Sequence, residues 1–186
     1  MKNDQLFAEF PELITERLHL LEYKPDYIGD VYKILSDERV SRFETRDPFT
    51  NIEQAKRYVQ VREFITREKS EGIIWAISTN EQNEIIGDIG YYPHHLHNAE
   101  IGFKLRYDFW NKGIMTEAIQ AVTQYFFFQT ETKRIEATTR PNNKAARRVL
   151  EKNGFVMEGI MRECEHHKDE SFDLVMYSLL KREYAP

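Results

Sequence analysis

A single glycine separates an aromatic and basic segment from a helix-like segment near the middle of the chain. Residues 106–112 read RYDFWNK, Gly113 follows, and residues 114–129 space apolar side chains at helical intervals. The unpaired N–H groups and the dipole at the start of a helix bind anions, and a glycine lets the anion approach the main chain. The segment is therefore a candidate phosphate-binding turn, although the same pattern also occurs in an ordinary tight connection between a strand and a helix.

A second motif with chemical potential follows further along the chain. Asn143 precedes a helix-like segment that ends at Gly154 and Phe155. An asparagine placed immediately before a helix caps it through its side chain, but the same side chain can also contact a ligand, and both interpretations of Asn143 stay open. Arg147 and Arg148 are expected on a solvated helical face, with one of them able to approach bound phosphates.

Taken together, these two segments resemble the signatures of the GNAT family of acetyltransferases. In that family a Gln, Arg or aromatic residue stands three positions before the glycine, as Trp110 does here, and an Asn precedes a Gly-Phe pair by eleven and twelve positions. The opening TERLHLLEY is similar to the first strand of the branch that contains the ribosomal-protein N-terminal (alanine/serine) acetyltransferases. The resemblance covers nearly the whole chain. It implies an α/β GNAT acyl-CoA N-acyltransferase fold, a mixed and mostly antiparallel sheet flanked by helices, in a single domain of residues 1–186.

The resemblance also implies a cosubstrate, acetyl-CoA, and no metal. The pantetheine arm would lie between two strands that splay apart, bonded to the strand main chain near Phe103, Lys104 and Leu105. Main-chain amides of the loop would hold the pyrophosphate, and Lys112 would add a charged contact. The residues assigned to this loop are Trp110, Asn111, Lys112, Gly113, Ile114, Met115 and Thr116, and Asn143 is the further candidate contact.

Attack on a thioester requires a neutral amine, so a base is expected near the acceptor. An α-amino group with a pKa of about 8 is about 10% neutral at pH 7, whereas a lysine with a pKa of about 10.4 is neutral in less than about 0.1% of molecules. The resemblance places Glu100 where members of the family often carry a carboxylate, and it is the candidate general base, acting directly or through a water. A surface glutamate at a strand end is the alternative interpretation.

The departing thiolate also needs a proton, and here the sequence departs from the family. Related sequences carry a Ser three residues after the Asn or a Tyr seven residues after it, and this chain has Ala146 and Leu150 at those positions. Water could protonate the thiolate, or another tyrosine such as Tyr177 could do so. The general acid is therefore left unassigned.

The resemblance favours acetyl transfer to a primary amine by direct attack in a ternary complex. Its branch favours the N-terminal amine of a ribosomal or other basic protein. Segments 41–50 and 163–173 would line the acceptor entrance, and their carboxylates would attract a cationic amine acceptor. A polyamine or an aminoglycoside meets the same criterion, and a catalytically impaired acetyl-CoA-binding module is the alternative from another class. The acidic residues concerned are Glu44, Asp47, Glu163, Glu165, Asp169 and Glu170.

Composition restricts the other classes of function. The 186 residues are 41% hydrophobic and carry a formal net charge of −5, which argues against binding to nucleic acid. A lone cysteine, Cys164, fits a reducing cytoplasm, and neither a secretory signal nor a membrane span is expected. The histidines of segments 93–98 and 165–170 are interpreted as solvated loop residues rather than metal ligands. The sequence does not choose between a monomer and a homodimer.

Hydrophobic periodicity predicts the elements that would position these residues, in the order β, α, α, β, β, β, α, β, α, β, β. The strands are predicted at 16–23, 72–80, 84–93, 99–106, 134–140, 155–165 and 171–182, and the helices at 26–37, 51–70, 115–129 and 141–155. Asn153 and Gly154 are expected to end the last helix in left-handed conformations. The aromatic run 125–128 is expected to be buried, with Phe127 as the candidate exception.

Overall fold

One mixed sheet organises the chain. The computed structural model describes residues 10–68, 72–81, 84–95 and 97–184. The strands are β1 (Leu13–Ile14), β2 (Leu18–Glu22), β3 (Ile73–Thr79), β4 (Ile85–His94), β5 (Asn98–Leu105), β6 (Arg134–Thr139), β7 (Val156–His167) and β8 (Glu170–Leu180). They form a single sheet in the order β1-β2-β3-β4-β5-β6-β8-β7. Neighbouring strands are antiparallel, except that β5 and β6 are parallel.

Helices cover both faces of this sheet. They are α1 (Ile28–Leu35), α2 (Glu38–Ser41), α3 (Ile52–Glu68), α4 (Ile114–Gln129) and α5 (Lys144–Lys152), and short 3-10 turns occur at Pro25–Tyr27, Tyr107–Phe109 and Lys181–Glu183. Helices α4 and α5 pack on one face, whereas α1, α2 and α3 pack on the other. The fold is therefore a three-layer α/β arrangement with two apolar cores.

The central strands are buried on both faces, which explains their sequence. In β3, Trp75 points into the core beneath α4, and its neighbours Ile74 and Ala76 point into the core beneath α1 and α3. A strand covered on both sides has no solvent face, so it reads as an apolar run instead of an alternating pattern. Each large apolar side chain buried in this way contributes about 1.5–3 kcal/mol.

The parallel pair β5 and β6 separates soon after it forms. Their ladder consists of Asn98 opposite Arg134, Ala99 opposite Ile135 and Glu100 opposite Glu136. Beyond this point β5 pairs only with β4, and β6 pairs only with β8, within the described residues. A wedge-shaped opening therefore lies between residues 101–105 and residues 137–139.

The structure confirms the predicted fold class and the order of the predicted elements. The periodicity did not predict β1 or α2, which span two and four residues. Strands β7 and β8 continue to a tight turn at Lys168 and Asp169, so the predicted loop 166–170 is shorter than expected. The last two residues of the helix predicted at 51–70 lie outside the described residues.

Three local predictions were wrong. Helix α5 is confined to 144–152, because Asn143 serves as its cap. Asn153 has a φ of −90° and is not left-handed, whereas Gly154, at +80°, is. Phe127 is fully buried, and the exposed aromatic of this run is Phe128, which is 58% exposed. A helical turn rotates Phe128, and not its neighbour, away from the sheet.

Candidate active site

The predicted phosphate turn is the N-terminus of α4. Gly113 is the N-cap residue and has a φ of +75°, a conformation that side chains with a Cβ rarely adopt. Its carbonyl oxygen accepts the first helical hydrogen bond, from the N–H of Glu117 at 3.1 Å. The N–H groups of the first helical turn before Glu117 have no partner within the helix. They are free to bind an anion.

An ion pair from the start of the chain holds this turn in place. The Arg17 Nε donates to Glu117 Oε2 at 2.6 Å, and Arg17 Nη1 donates to the carbonyl oxygen of Lys112 at 2.9 Å. The guanidinium thereby joins the loop to the first turn of α4. The loop itself contains Asn111 at a φ of +59°, a left-handed conformation that asparagine tolerates better than most residues. The main chain of the loop is therefore fixed on both sides of Gly113.

A cavity of about 500 Å³ runs from this turn through the wedge between β5 and β6. It is lined by ten of the eleven predicted cofactor residues, which are Phe103, Lys104, Leu105, Trp110, Asn111, Gly113, Ile114, Met115, Thr116 and Asn143. Thr138, Thr139 and Ala146 form the opposite wall. The unpaired strand edges and the free helical amides fit the polar groups of a pantetheine arm and a pyrophosphate.

Lys112 is the predicted cofactor residue that does not line the cavity. It is exposed, and its ammonium group lies 5.3 Å from the centre of the Phe109 ring. Its main-chain carbonyl is the part of the residue that belongs to the loop, through the hydrogen bond from Arg17. The charged contact of the Lys112 side chain with the pyrophosphate stays a prediction.

Asn143 fulfils one of the two roles that the sequence left open, and its position is compatible with the other. Its side-chain oxygen accepts a hydrogen bond from the N–H of Ala146 at 3.2 Å, which caps α5, and the residue also lines the cavity. The helix cap is therefore observed, and the cofactor contact stays a prediction. Arg148 lines the cavity as well, whereas Arg147 turns away and donates to Tyr177 and to the carbonyl of Pro141.

Glu100 lies where β5 and β6 part, at the last residue pair of their ladder. It accepts a hydrogen bond from the Thr138 hydroxyl at 2.9 Å. Thr138 lines the cavity and Glu100 does not. In the register of β4 and β5, Glu100 is opposite Tyr92, on the side of the sheet that also carries Lys104. Its base role stays a prediction, with Thr138 or a water between the carboxylate and the cavity.

Ala146 and Leu150 occupy the positions where related sequences carry a hydroxyl group that could protonate the thiolate. Ala146 lines the cavity, and Leu150 is fully buried in the core. The suggestion of Tyr177 is not supported, because its hydroxyl donates to Glu151 Oε1 at 3.2 Å and the residue does not line the cavity. Tyr92 is the tyrosine found among the described residues that line the cavity.

A buried polar cluster, which the sequence analysis missed, lies at the other end of the cavity. Asp88 is 4% exposed, and its Oδ2 accepts hydrogen bonds from the hydroxyls of Tyr23 at 2.8 Å and Tyr58 at 2.7 Å. Lys104 Nζ lies 3.4 Å from Asp88 Oδ1 and 3.4 Å from Glu44 Oε1. The Lys104 side chain therefore faces the acceptor side, while its main chain belongs to the wedge.

The charges of this cluster stabilise one another. Burial by itself raises the pKa of Asp88, but Lys104 and Arg62 outweigh burial and hold this pKa below its usual value. Burial by itself lowers the pKa of Lys104, yet Asp88, Tyr58 and Glu44 raise it above its usual value. Burial, with a contribution from Asp88, raises the pKa of Tyr58 to about 12. At neutral pH the cluster therefore holds an ionised Asp88, a charged Lys104 and a protonated Tyr58.

The sequence contained one sign of this cluster. Asp88 interrupts the apolar run IIGDIG, and a charged residue inside a strand that is buried on both faces needs partners. Those partners come from separate elements, Tyr23 after β2, Tyr58 from α3 and Lys104 from β5. No spacing along the chain connects them, so only the folded structure identifies the set.

Three of the six carboxylates expected at the acceptor entrance form ion pairs. Glu44 lies 3.0 Å from Arg46, Glu165 lies 2.9 Å from Arg140, and Asp47 lies 2.8 Å from Lys168. These carboxylates are bound to cations of the chain itself. The electrostatic reason for a highly basic acceptor is therefore weaker in the structure than in the sequence.

Two further features concern ligands and location. Within residues 10–68, 72–81, 84–95 and 97–184, no group of three or more His, Cys, Asp or Glu side chains is arranged to hold a metal ion. No helix in the described part of the chain is both long enough and apolar enough to cross a membrane.

Comparisons with known proteins agree with this geometry. Residues 17–156 match the acetyltransferase (GNAT) domain family. The chain is 34% identical over 175 residues to the uncharacterized N-acetyltransferase p20 of Bacillus licheniformis, an alignment that covers 93% of this chain and 98% of that protein. A GNAT-family acetyltransferase of Bacillus anthracis superposes with a TM-score of 0.84 at 26% identity, covering 93% of this chain and 100% of the other.

A third similar protein is described as a ribosomal α-N-protein acetyltransferase, RimL, in complex with coenzyme A. It superposes with a TM-score of 0.80 at 21% identity, over 91% of this chain and 98% of the other. At this identity the likeness concerns the fold. On the combined evidence, this chain belongs to the GNAT family of acetyltransferases and is an acetyl-CoA-dependent N-acyltransferase.

Proposed function

We propose that this enzyme transfers the acetyl group of acetyl-CoA to a primary amine, with a protein N-terminus as the acceptor. The observation that carries the proposal is the continuous cavity, which has free helical amides at one end and a buried charged cluster at the other. Acetyl-CoA supplies the reactive thioester carbonyl. The branch resemblance of the first strand and the likeness to a ribosomal-protein acetyltransferase support a ribosomal or other basic protein as the acceptor.

In this proposal the main chain positions the cosubstrate. Amides of Gly113 to Thr116 bind the pyrophosphate, and the free edge of residues 103–105 bonds the pantetheine arm. Arg17 keeps the turn in its binding conformation, because it bridges Lys112 and Glu117. The side chain of Asn143 adds a contact in the same cavity while capping α5.

Glu100 acts as the general base. It removes a proton from the attacking amine through Thr138 or a bridging water, since the Thr138 hydroxyl lies between Glu100 and the cavity. The leaving thiolate takes its proton from water, because Ala146 and Leu150 carry no hydroxyl. A thiolate is a fairly good leaving group, so this step needs less assistance than the deprotonation of the amine.

Thiol release tests the proposal. The protein is incubated with acetyl-CoA and a panel of amines that contains N-terminal peptides, polyamines and aminoglycosides, and free thiol is followed with a chromogenic disulfide. Release that depends on a peptide with a free N-terminus, with mass spectrometry locating the acetyl group on the α-amine, supports the proposal. Release with only polyamines or aminoglycosides would instead make the enzyme a small-molecule acetyltransferase.

The second candidate function is an acetyl-CoA-binding module with impaired catalysis, favoured by the absence of hydroxyls at Ala146 and Leu150. Calorimetry separates the two functions. Tight binding of coenzyme A without turnover on the whole panel would favour the binding module. We also propose that the chain acts as a single domain in the cytoplasm, in keeping with its lone cysteine.

A further inference from the structure

One cation of the cavity wall, Arg62, interacts with a carboxylate only from beyond ion-pair distance. The charged lining residues outside α5 in the described part of the chain are Glu44, Arg46, Arg62, Asp88, Lys104, Arg140 and Glu165, and α5 contributes Arg148 and Lys152. Glu44 pairs with Arg46 and Lys104, and Glu165 pairs with Arg140. Among the described residues, no carboxylate lies within ion-pair distance of Arg62.

Arg62 is nevertheless held firmly in place. Its guanidinium carbon lies 3.7 Å from the centre of the Tyr58 ring, and its Nη2 donates to the Tyr58 hydroxyl at 2.8 Å. The same hydroxyl donates to Asp88. Arg62 therefore approaches Asp88 only through Tyr58, and its position is fixed by stacking and by this hydrogen bond.

Arg62 lines the cavity, and its guanidinium retains an unused hydrogen-bond donor. Its Nε is buried and has no hydrogen-bond partner. A buried polar group without a partner is costly, so the Arg62 side chain has hydrogen-bonding capacity left for a ligand or a bridging water. Tyr92 lines the same cavity, and burial raises the pKa of its hydroxyl while the charge of Arg62 opposes this rise.

The sheet is shaped to keep Tyr92 beside Arg62. A Cβ at Gly90 would collide with the ring and the hydroxyl of Tyr92, so only glycine at position 90 lets this ring lie over the strands. Both Tyr92 and Arg62 line the cavity. Two hydrogen-bond donors from different elements, β4 and α3, thus meet at the same wall.

We propose that Arg62, assisted by the Tyr92 hydroxyl, binds a carboxylate that the acceptor carries close to its reactive amine. This inference deepens the proposed function, on which it rests. It assigns the acceptor to amines that bear a single neighbouring carboxylate, such as a protein N-terminus with an acidic residue among its first three. Arg62 is then a specificity-determining residue.

The surrounding charges select a monoanion. Among the charged lining residues outside α5, four cations face three carboxylates, so one further negative charge balances this part of the cavity. A phosphate dianion would add a second negative charge beside Glu44 and Asp88, which repel it. An acceptor with no anionic group would leave the Arg62 guanidinium without a carboxylate at ion-pair distance after water is displaced.

Matched acceptors test this inference. Tetrapeptide amides with a free N-terminus are compared in pairs that differ only in Glu against Gln at the first, second or third residue. Free glutamate and its α-amide form a separate pair, which distinguishes an α-carboxylate from a side-chain carboxylate. We expect kcat/KM to be at least tenfold higher for the acid than for the amide in one of these pairs, chiefly through KM.

Two variants of α3 attribute the preference to Arg62. Arg62→Met should reduce the ratio of kcat/KM for the acid peptide to kcat/KM for the amide peptide to less than twofold. Arg57→Met is the matched control, because Arg57 is an exposed arginine of the same helix outside the cavity, and it should keep the full preference. Thermal melting and coenzyme A calorimetry establish that each variant is folded.

The outcomes are separable. If neutral peptides are acetylated as efficiently as their acidic partners by the unsubstituted enzyme, the inference is wrong and the proposed function stands. If Arg62→Met is folded and keeps the acid preference, Arg62 is not the carboxylate ligand and the inference is again wrong. If no amine in any pair releases thiol, the proposed function itself fails. If Arg62→Met does not fold, the inference is tested by the acid preference of the unsubstituted enzyme and by the acid preference of the conservative Arg62→Lys variant.

Discussion

The two ends of the cavity present different chemical groups. The cofactor end presents main-chain amides, a glycine and a free strand edge, with Asn143 and Arg148 beside them, and the Lys112 ammonium lies over Phe109. The acceptor end consists of charged and hydroxyl side chains contributed by α3, β4 and β5. The main chain of a turn can recognise a cosubstrate, whereas recognition of a particular acceptor needs specific side chains.

The largest effect is expected from filling the main-chain anion site. Gly113→Trp places a side chain on a residue with a φ of +75° and blocks the turn, so coenzyme A affinity should fall at least a thousandfold, about 4 kcal/mol. Calorimetry measures this loss. Gly29→Trp is the control, because Gly29 is an exposed helical residue with open space around it. An affinity within threefold of the original would contradict the assignment of the turn.

Next in size is the removal of the charge at the centre of the acceptor cluster. Asp88→Asn leaves Lys104 short of a partner and changes the acceptor of two tyrosine hydroxyls, so unfolding free energy should fall by about 3 kcal/mol. Urea denaturation measures the change. Asp108→Asn, at a side chain that is 63% exposed, should cost little. A loss below about 1 kcal/mol for Asp88→Asn would show that the cluster is not an energetic unit.

The same substitution gives a pH signature. The pKa of Asp88 is held below its usual value by Lys104 and Arg62, despite the opposing effect of burial. Its contribution to stability is therefore complete above about pH 4 and is lost as the pH falls through the lowered pKa. In Asp88→Asn, the stability measured between about pH 4 and pH 2 should fall less steeply than in the unsubstituted protein. An unchanged slope would mean that Asp88 does not dominate the acid limb.

A smaller effect is expected where the two ends meet. Glu100→Gln should lower kcat about a hundredfold at neutral pH and remove the acidic limb of the rate profile, because the base can no longer accept a proton. Steady-state rates across pH measure both features. Glu136→Gln is the matched control, since Glu136 stands opposite Glu100 in the ladder but is bound to Arg134. A profile of unchanged shape in Glu100→Gln would remove Glu100 from the mechanism.

The smallest effect is expected at Lys112. Lys112→Ala should weaken coenzyme A binding no more than about threefold, because its ammonium lies over Phe109 and the amides of the loop do the binding. Calorimetry measures the coenzyme A affinity of Lys112→Ala, which is compared with that of Gly113→Trp. A loss of tenfold or more would show that the side chain moves onto the pyrophosphate and that the cofactor end is not built from main chain alone.

The sequence predicted the local conformation at Gly113 and Asn143, because helix starts restrict residue types at fixed positions. Gly113 must adopt a left-handed conformation at a helix start, and Asn143 must cap the next helix, so both leave a local signal. The periodicity also predicted the element order, since amphipathic helices and buried strands differ in their apolar spacing. Boundaries were less accurate, as at α5, where the cap residue begins the helix later than its composition suggested.

The acceptor end was not predictable in the same way. Tyr23, Tyr58, Asp88 and Lys104 are far apart in sequence and meet only after the sheet and α3 have packed. Composition also misled in part about charge, because three of the six acidic residues of these loops are paired with cations in the fold. Contacts between residues far apart in the sequence produce no periodic pattern along the chain.

The wedge between β5 and β6 makes the continuity of the sheet depend on what occupies it. Amide hydrogens of residues 101–105 and 137–139 that point into the opening have no partner strand to slow their exchange with solvent. A bound pantetheine arm would form hydrogen bonds between β5 and β6. Those amides should then become protected from exchange together. The protein's melting temperature would then report the cellular supply of its own cosubstrate, since a ligand at a hundred times its dissociation constant stabilises a fold by about 2.7 kcal/mol.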